Sequence, residues 1–287
     1  MTKNGSRMRP TTQTHLWPAT GDQVPVIGQG TWDIELADRR GAIAALRRGL
    51  DLGMTHIDTA EMYGNGESEE IIGEAIAGRR DAVFLVSKVY PHNASRKAMP
   101  RSCEASLRRL GVETIDLYLL HWEGSVPIAE TVEAFEGLQR QGKIRHWGVS
   151  NLDADAMQAL WQVPGGQAVQ TDQILYNLSR RGSEWGLVPW LRERRIALMA
   201  YSPIEQGRLL RQRGLVEFAR KRAMTPAQAA LAWLLAQEGV IAIPKAGRRA
   251  RLEENAGALA HTLSADDLRE LDAVFPPPRG PSPLAMI

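Results

Sequence analysis

The chain has 287 residues, of which 44% are hydrophobic and 24% are charged, a composition typical of soluble globular proteins. Its formal net charge of +2 is too balanced, and its arginines are too scattered, for a nucleic-acid-binding surface. The single cysteine, Cys103, excludes an intramolecular disulfide framework and a cysteine-based metal cage. No apolar run approaches the ~20 residues that span a bilayer, and the polar residues 1–13 do not resemble a secretory signal. We therefore expect a cytoplasmic protein without a membrane or nucleic-acid partner.

Strand-like and helix-like segments alternate along the chain. A flexible tail is predicted over 1–14, and the polar residues 20–23 between two apolar segments predict a β-hairpin. Apolar runs predict barrel strands at 28–32, 55–59, 83–89, 115–122, 144–151, 169–176, 196–201 and 240–245. Helical periodicity predicts helices at 39–52, 68–77, 97–110, 128–141, 154–161, 184–194, 215–224, 226–237, 251–260 and 264–273.

Alternation repeated about eight times predicts an α/β fold, a parallel sheet closed into a (β/α)8 TIM barrel. Such a barrel uses ~250 residues, and no linker interrupts the alternation, so 15–287 is expected to form one domain. Thr225 followed by Pro226, and Ser264 followed by Asp267, have the pattern of helix N-termini.

Four polar residues lie at or just past the ends of three successive predicted strands. Asp58 ends the strand 55–59 and precedes Tyr63 in a glycine-rich loop, Lys88 ends the next strand, and His121 ends the third. In a parallel barrel these strand ends form the catalytic face. We expect a buried Lys88 ammonium to lower the pKa of the Tyr63 phenol from its usual value of ~10, with Asp58 holding Lys88 charged.

The string from Gly53 to Gly64, with Ile57-Asp58-Thr59-Ala60 and Tyr63-Gly64 inside it, resembles the signature of the aldo-keto reductases, and the resemblance covers nearly the whole chain. It implies reduction of a carbonyl compound by hydride transfer. In that role Tyr63 protonates the carbonyl oxygen as a general acid, and His121 donates a hydrogen bond to the same oxygen and orients the substrate.

The resemblance also implies a cofactor, NADPH, bound by the second half of the chain. The segment Gly28-Gln29-Gly30 lacks the third glycine of a Rossmann fingerprint, which disfavours that alternative. The nicotinamide would meet hydrogen-bonding groups at strand ends and a stacking aromatic ring, from Thr31, Asp58, Ser150, Asn151, Gln173 and Tyr201. From the residues alone, Ser150 and Asn151 could instead cap the next helix, and Gln173 could be a buried core amide.

The far end of the cofactor is assigned, again by resemblance, to the segment 243–255. Lys245 and Arg251 would bind the 2′-phosphate of adenosine, which favours NADPH over NADH. Ala246 and Gly247 stand where the family often has a serine and a bulkier residue, and Arg248 or Arg249 could compensate. The remaining contacts are adenine with Glu254 and Asn255, and the phosphates with Ser202, Pro203 and Gly207, while Glu205 is expected to point away.

Specificity is predicted to lie in the loops around Trp32, Tyr90, His92 and Trp122, with Tyr63 and His121 at the reacting carbonyl. The end of the chain, 278–287, lacks the long loop that narrows the pocket in many mammalian relatives. An open mouth favours small aldehydes, among them 2-oxoaldehydes such as methylglyoxal. No apolar stripe is left over once the barrel is assigned, so a monomer is expected.

Two other functions remain open on the sequence. A barrel that binds NADPH tightly but turns over slowly could act as a redox-sensing subunit, as the related potassium-channel β subunits do. A barrel isomerase or hydrolase, with or without a metal, could use Asp58 and His121 as acid and base, but it would have no use for Lys245 and Arg251. A short-chain dehydrogenase is disfavoured, because that class places its tyrosine and lysine four apart on one helix.

Overall fold

Two short antiparallel strands precede eight parallel ones in the computed structural model, which describes residues 14–16, 21–245 and 247–287. The antiparallel pair is β1 (Thr14–Leu16) with β2 (Gln23–Pro25). The parallel strands are β3 (Gln29–Gly30), β4 (His56–Asp58), β5 (Phe84–Val89), β6 (Ile115–Leu120), β7 (Ile144–Ser150), β8 (Thr171–Leu175), β9 (Ala197–Tyr201) and β10 (Val240–Ile243). Each parallel strand pairs with the next one along the chain, from β3 to β10.

Backbone contacts between the first and last of these strands close the sheet into a barrel. Gly28 N donates to the Ala242 carbonyl at 2.8 Å, and Gly30 N donates to the Pro244 carbonyl at 2.9 Å. A Cβ atom at Gly30 would lie 2.7 Å from the Ile243 carbonyl oxygen, so only glycine permits this close approach. The predicted (β/α)8 barrel with an N-terminal hairpin is confirmed.

Ten α-helices surround the barrel in the described part of the chain: α1 (Arg39–Asp51), α2 (Glu67–Ile76), α3 (Met99–Leu110), α4 (Ile128–Arg140), α5 (Ala154–Gln162), α6 (Leu187–Glu193), α7 (Arg213–Lys221), α8 (Pro226–Leu235), α9 (Arg249–Gly257) and α10 (Ala265–Val274). The expected caps are present. Thr225 and Gln228 form a reciprocal capping box at α8, and Ser264 and Asp267 form one at α10.

The apolar core has two parts, which follow from the alternation of side chains along each strand. One part lies between the sheet and the helices, where the strands are buried on both faces, as in parallel sheets generally. The other fills the barrel itself, with Val24 from β2 joining Val86, Leu117, Leu119, Ala197, Met199, Ile241 and Ile243. The hairpin therefore closes the end of the barrel that is opposite the carboxyl ends of the strands.

The predicted helix 184–194 differs from the structure. A 3-10 turn, Gly182–Trp185, precedes α6, and Gly186 between them has the non-helical angles φ −139° and ψ −52°. The periodicity carried no sign of this break, because glycine is tolerated in a helical pattern. The tail predicted over 1–14 lies outside the described residues, except Thr14, which pairs with Pro25.

Candidate active site

Three of the four predicted catalytic residues lie at the carboxyl ends of adjacent strands. Asp58 is the last residue of β4, Lys88 is the penultimate residue of β5, and His121 directly follows β6. Tyr63 is brought back over these ends by a tight turn. The three residues after Tyr63, which are Gly64, Asn65 and Gly66, all have positive φ angles (55°, 51° and 96°). Glycine and asparagine adopt such angles more easily than other residues.

Lys88 joins these residues into one hydrogen-bonded group. Its side chain is fully buried, and its Nζ donates to Asp58 Oδ2 at 2.7 Å, to the Thr59 carbonyl at 2.8 Å and to Tyr63 Oη at 3.2 Å. An ammonium group has three hydrogens, so every donor is used. The nitrogen therefore has one orientation, fixed between a carboxylate and the phenol.

The charges in this group correct one expectation. Burial raises the pKa of the Tyr63 phenol, and although Lys88 lowers it, the net shift is upward, with Asp58 contributing in the same direction as burial. The pKa of Lys88 is raised, since Asp58 and Tyr63 outweigh the burial that would lower it. The predicted lowering of the Tyr63 pKa is therefore wrong in net direction, because the sequence does not reveal how deeply the phenol is buried.

His121 is a neutral imidazole in this environment. Burial, reinforced by the charge of Lys88, lowers the pKa of its ring to about 2. The ring packs edge-on against Tyr63, with centroids 5.8 Å apart, and against Trp122 at 4.8 Å. Its Nδ1 atom is buried without a hydrogen-bond partner in the described chain. A neutral ring can donate one hydrogen bond to a substrate oxygen without carrying a charge.

A cavity of about 1200 Å³ opens over the strand ends and contains almost every predicted site residue. From the catalytic and nicotinamide groups these are Thr31, Asp58, Tyr63, His121, Ser150, Asn151, Gln173 and Tyr201. From the phosphate, adenine and substrate groups they are Ser202, Pro203, Gly207, Lys245, Arg251, Glu254, Asn255, Trp32 and Trp122. Two predicted site residues do not line the cavity: Lys88, which is buried behind its wall, and Tyr90.

Polar residues on β7 and β8 link the catalytic group to the rest of the cavity. Gln173 Nε2 donates to Asp58 Oδ1 at 2.7 Å, and Ser150 Oγ donates to the Gln173 carbonyl at 2.8 Å. Asn151, with a positive φ of 61°, accepts from Tyr201 Oη at 2.9 Å. The cap of α5 is Asp153, so neither Ser150 nor Asn151 serves as that helix cap.

Lys245 and Arg251 also line the cavity, and both are exposed. Lys245 Nζ donates to the Asp33 carbonyl at 3.3 Å. Arg249, considered as a compensating cation, instead pairs with Glu253 at 3.1 Å, and neither it nor Arg248 lines the cavity. Ala246 lies outside the described residues.

The aromatic residues predicted to meet the substrate differ in their relation to the cavity. Trp32, 42% exposed, and Trp122 both line it. Tyr90 lies behind Trp122, with the two rings edge to face and their centroids 5.9 Å apart, and it stacks on His92. Within the described chain, Tyr90 thus supports the wall and does not line it.

The end of the chain contributes residues that the sequence analysis missed. Met286 and Ile287 line the cavity, as Tyr201 does. The proline-rich segment before them has no periodicity, so nothing in the sequence indicated where it would return. The end of the chain therefore forms part of the cavity wall.

The described residues contain no cluster of three or more histidine, cysteine or carboxylate side chains suited to hold a metal. None of the helices described is long and apolar enough to cross a membrane.

The geometry fits a dinucleotide. The cavity volume exceeds the ~300–1000 Å³ of pockets for drug-sized ligands. Its lining includes an aromatic ring, Tyr201, beside polar side chains of the catalytic group, and two cations, Lys245 and Arg251.

Comparisons with known proteins agree with this geometry. The sequence profile of the aldo/keto reductase family matches residues 26–275. The chain is 49% identical over 277 residues to the methylglyoxal reductase YeaE of Escherichia coli K12, which covers 93% of this chain and 97% of that protein. It is 32% identical over 264 residues to a glyoxal reductase of Bacillus subtilis 168, covering 92% and 94%.

Solved structures give the same result. An aldo/keto reductase from Klebsiella pneumoniae, in complex with NADP and acetate, superimposes with a TM-score of 0.93 at 47% sequence identity. The match covers 96% of this chain and 100% of that one. A second structure of an aldo-keto reductase from the same organism, in complex with NADPH, has the same TM-score and identity.

Proposed function

Because the chain belongs to the aldo/keto reductase family, we propose that it reduces aldehydes to alcohols with NADPH, small 2-oxoaldehydes such as methylglyoxal among them. The observation that carries this proposal is the triple contact of Lys88 Nζ with Asp58, Thr59 and Tyr63, directly behind the wall of a dinucleotide-sized cavity. The relatives named for methylglyoxal and glyoxal support the choice of substrate.

The protein's own residues supply the proton and orient the substrate. Bound NADPH supplies the hydride to the substrate carbon. The substrate oxygen lies between Tyr63 Oη and the His121 ring, and Tyr63 passes its proton to that oxygen as negative charge develops there. Lys88 is held charged by Asp58 and stabilises the phenolate that remains. Trp32 and Trp122, which line the cavity, would pack against the substrate and exclude water from this oxygen.

The cofactor contacts are proposed from the lining of the cavity. Tyr201 would stack on the nicotinamide, whose carboxamide would meet Ser150, Asn151 and Gln173; the oxygen of the Gln173 amide has no hydrogen bond within the described chain. Lys245 and Arg251 would bind the 2′-phosphate, with Glu254 and Asn255 beside the adenine. Thr31 packs under the nicotinamide end, where its hydroxyl donates to the Asp58 carbonyl at 2.9 Å.

The function is tested by following NADPH oxidation with methylglyoxal, 4-nitrobenzaldehyde and xylose. We expect turnover of both aldehydes and slow or absent turnover of the sugar, because the aromatic wall disfavours a polyhydroxylated chain. Tight NADPH binding without turnover of any carbonyl would contradict the proposal and favour a redox-sensing subunit.

The cofactor preference has its own test. Replacing Lys245 or Arg251 by Met removes a cation facing the 2′-phosphate, and should raise the Kd for NADPH at least tenfold while changing the Kd for NADH less than threefold. Arg249→Met, which removes a cation paired with Glu253 outside the cavity, is the matched control. Equal weakening of both cofactors would contradict the assignment.

Cytoplasmic location, a monomeric state and the absence of a nucleic-acid partner stay predictions from the sequence. Sedimentation of the purified protein at several concentrations tests the monomer.

A further inference from the structure

The loop Ser202–Arg208, which follows β9, has an unusual backbone. Ser202, Glu205 and Gln206 have positive φ angles (46°, 51° and 52°) although none of them is glycine, and Gly207 follows at 88°. Non-glycine residues hold this conformation only where the surrounding structure imposes it. Something in the protein must therefore keep the loop in place.

Glu205 provides that constraint. Its side chain is 4% exposed, and it is missing from the cavity wall although its neighbours on both sides line it. Arg180 donates to Oε1 through Nε at 3.0 Å and Nη2 at 2.7 Å, and Arg208 donates to the same oxygen at 3.0 Å. The expectation that Glu205 points away from the cavity is thus met.

Asn177 completes the clamp. Its amide nitrogen donates to Glu205 Oε2 at 2.8 Å and to the Ser202 carbonyl at 2.9 Å, which ties the start of the loop to its middle. Asn177 is fully buried after β8, on the rigid barrel. Because two guanidinium groups meet one carboxylate, the cluster keeps a net positive charge, and Arg208 carries it to the cavity wall.

The position of the loop in the cavity indicates what it meets. The loop begins directly after Tyr201, the ring proposed to stack on the nicotinamide, and all of its residues except Glu205 line the same cavity as Lys245 and Arg251, the cations proposed for the 2′-phosphate. In an extended dinucleotide the pyrophosphate lies between the nicotinamide and adenine halves. A cationic side chain, Arg208, and a tight backbone turn directly after the nicotinamide-stacking residue suit that group.

We propose that Glu205 is a positioning residue for cofactor binding: through Arg180, Asn177 and Arg208 it holds the Ser202–Arg208 loop and the Arg208 guanidinium against the pyrophosphate. This inference rests on the proposed NADPH site. It assigns the buried carboxylate a role in affinity, although Glu205 itself does not touch the cofactor.

The test compares two ligands on the full-length protein. Glu205→Gln keeps the size of the side chain but removes its charge, so the Kd for NADPH, measured by quenching of tryptophan fluorescence, should rise at least fivefold. The affinity for 2′-AMP, which carries the adenosine 2′-phosphate but no pyrophosphate, should change less than twofold. The KM for NADPH should rise by more than kcat falls.

Asp116→Asn is the matched control, because Asp116 is also a buried carboxylate holding two arginines, Arg80 at 2.7 Å and Arg145 at 3.2 Å, but lies near the start of β6 and away from the cavity. It should lower stability without changing either affinity. If Glu205→Gln does not fold, Arg180→Gln, which alters a partly exposed side chain, should show the same pattern.

Unchanged NADPH affinity in the folded variants would overturn the inference, and so would equal weakening of NADPH and 2′-AMP. Failure of the parent protein to bind NADPH would instead overturn the proposed function itself.

Discussion

The three hydrogen bonds of Lys88 fix its ammonium group beside Tyr63, the proton donor in the proposed mechanism. All three of its hydrogens are bound within the protein, to Asp58, Thr59 and Tyr63. Burial keeps the Tyr63 phenol protonated, while the neighbouring ammonium stands ready to stabilise the anion. The raised pKa is consistent with an acid that must hold its proton until the carbonyl oxygen becomes basic.

The dependence of reduction on pH follows from these shifts. In the proposed mechanism the acid form of Tyr63 is the active one, and burial raises its pKa, so kcat/KM for methylglyoxal should stay level from pH 6 to 9 and decline only above pH ~10. His121, with a pKa of about 2, should add no ionisation in that range. The check is a pH profile at saturating NADPH. An inflection near pH 6.5 that disappears in His121→Gln would contradict a neutral imidazole.

At the residue scale, the sequence predicted that four polar residues would lie close together at the strand ends, but it did not predict the net direction of the Tyr63 pKa shift. The positions of Asp58, Tyr63, Lys88 and His121 follow from strand ends, which apolar runs locate to within a residue or two. The net shift of the Tyr63 pKa depends on burial by other elements, and the return of Met286 and Ile287 to the cavity depends on packing across the fold. Neither feature produces a pattern in the local sequence from which it could be predicted.

Several helices of the barrel begin at a residue whose side chain caps the first turn. The capping boxes of α8 and α10, and the side-chain cap that Asp153 provides for α5, satisfy backbone N–H groups that the first turn leaves free. Helix starts were predictable for that reason. The break at Gly186 was not, because its cause lies in its backbone conformation and not in its residue type.

Removing the cap of α8 should have a measurable cost. Thr225→Ala loses the bond that its hydroxyl accepts from Gln228 N at 3.2 Å, and should destabilise the protein by ~1 kcal/mol. For a chain of this length the loss corresponds to a fall in Tm of about 2 °C. Thr225→Ser, which keeps the acceptor, is the control in thermal unfolding followed by circular dichroism. A Tm in Thr225→Ala equal to that of the parent would show that the cap is dispensable.

At the scale of the whole molecule, the barrel buries several polar side chains in its interior. His56 lies on β4 with its ring against Phe84, at 5.7 Å between centroids, and both ring nitrogens are buried without a hydrogen-bond partner among the described residues. Burial lowers the pKa of this ring to about 3, with Lys88 adding to the effect. His56 takes no part in the proposed reaction, but its burial affects the stability of the folded protein.

As the pH is lowered, the folded protein should therefore begin to lose stability at a higher pH than the protonation of its carboxylates alone would cause. Between pH 6.5 and about 3 an unfolded His56 binds a proton and the folded one does not, so stability falls as pH falls, by up to ~1.4 kcal/mol per pH unit. In urea unfolding from pH 7 to 4.5, His56→Leu should lose less stability than the parent. His92→Gln, which removes an exposed imidazole, should keep the parental slope. Identical slopes in all three proteins would contradict this account.

The most direct test of the central claim compares the parent with Tyr63→Phe under saturating NADPH and methylglyoxal. Loss of the acid should lower kcat by ~10²- to 10⁴-fold while the Kd for NADPH stays within twofold. Tyr118→Phe, which removes a buried hydroxyl outside the cavity, should retain parental activity. A Tyr63→Phe variant that reduces methylglyoxal at the parental rate would contradict the assignment of Tyr63 as the proton donor.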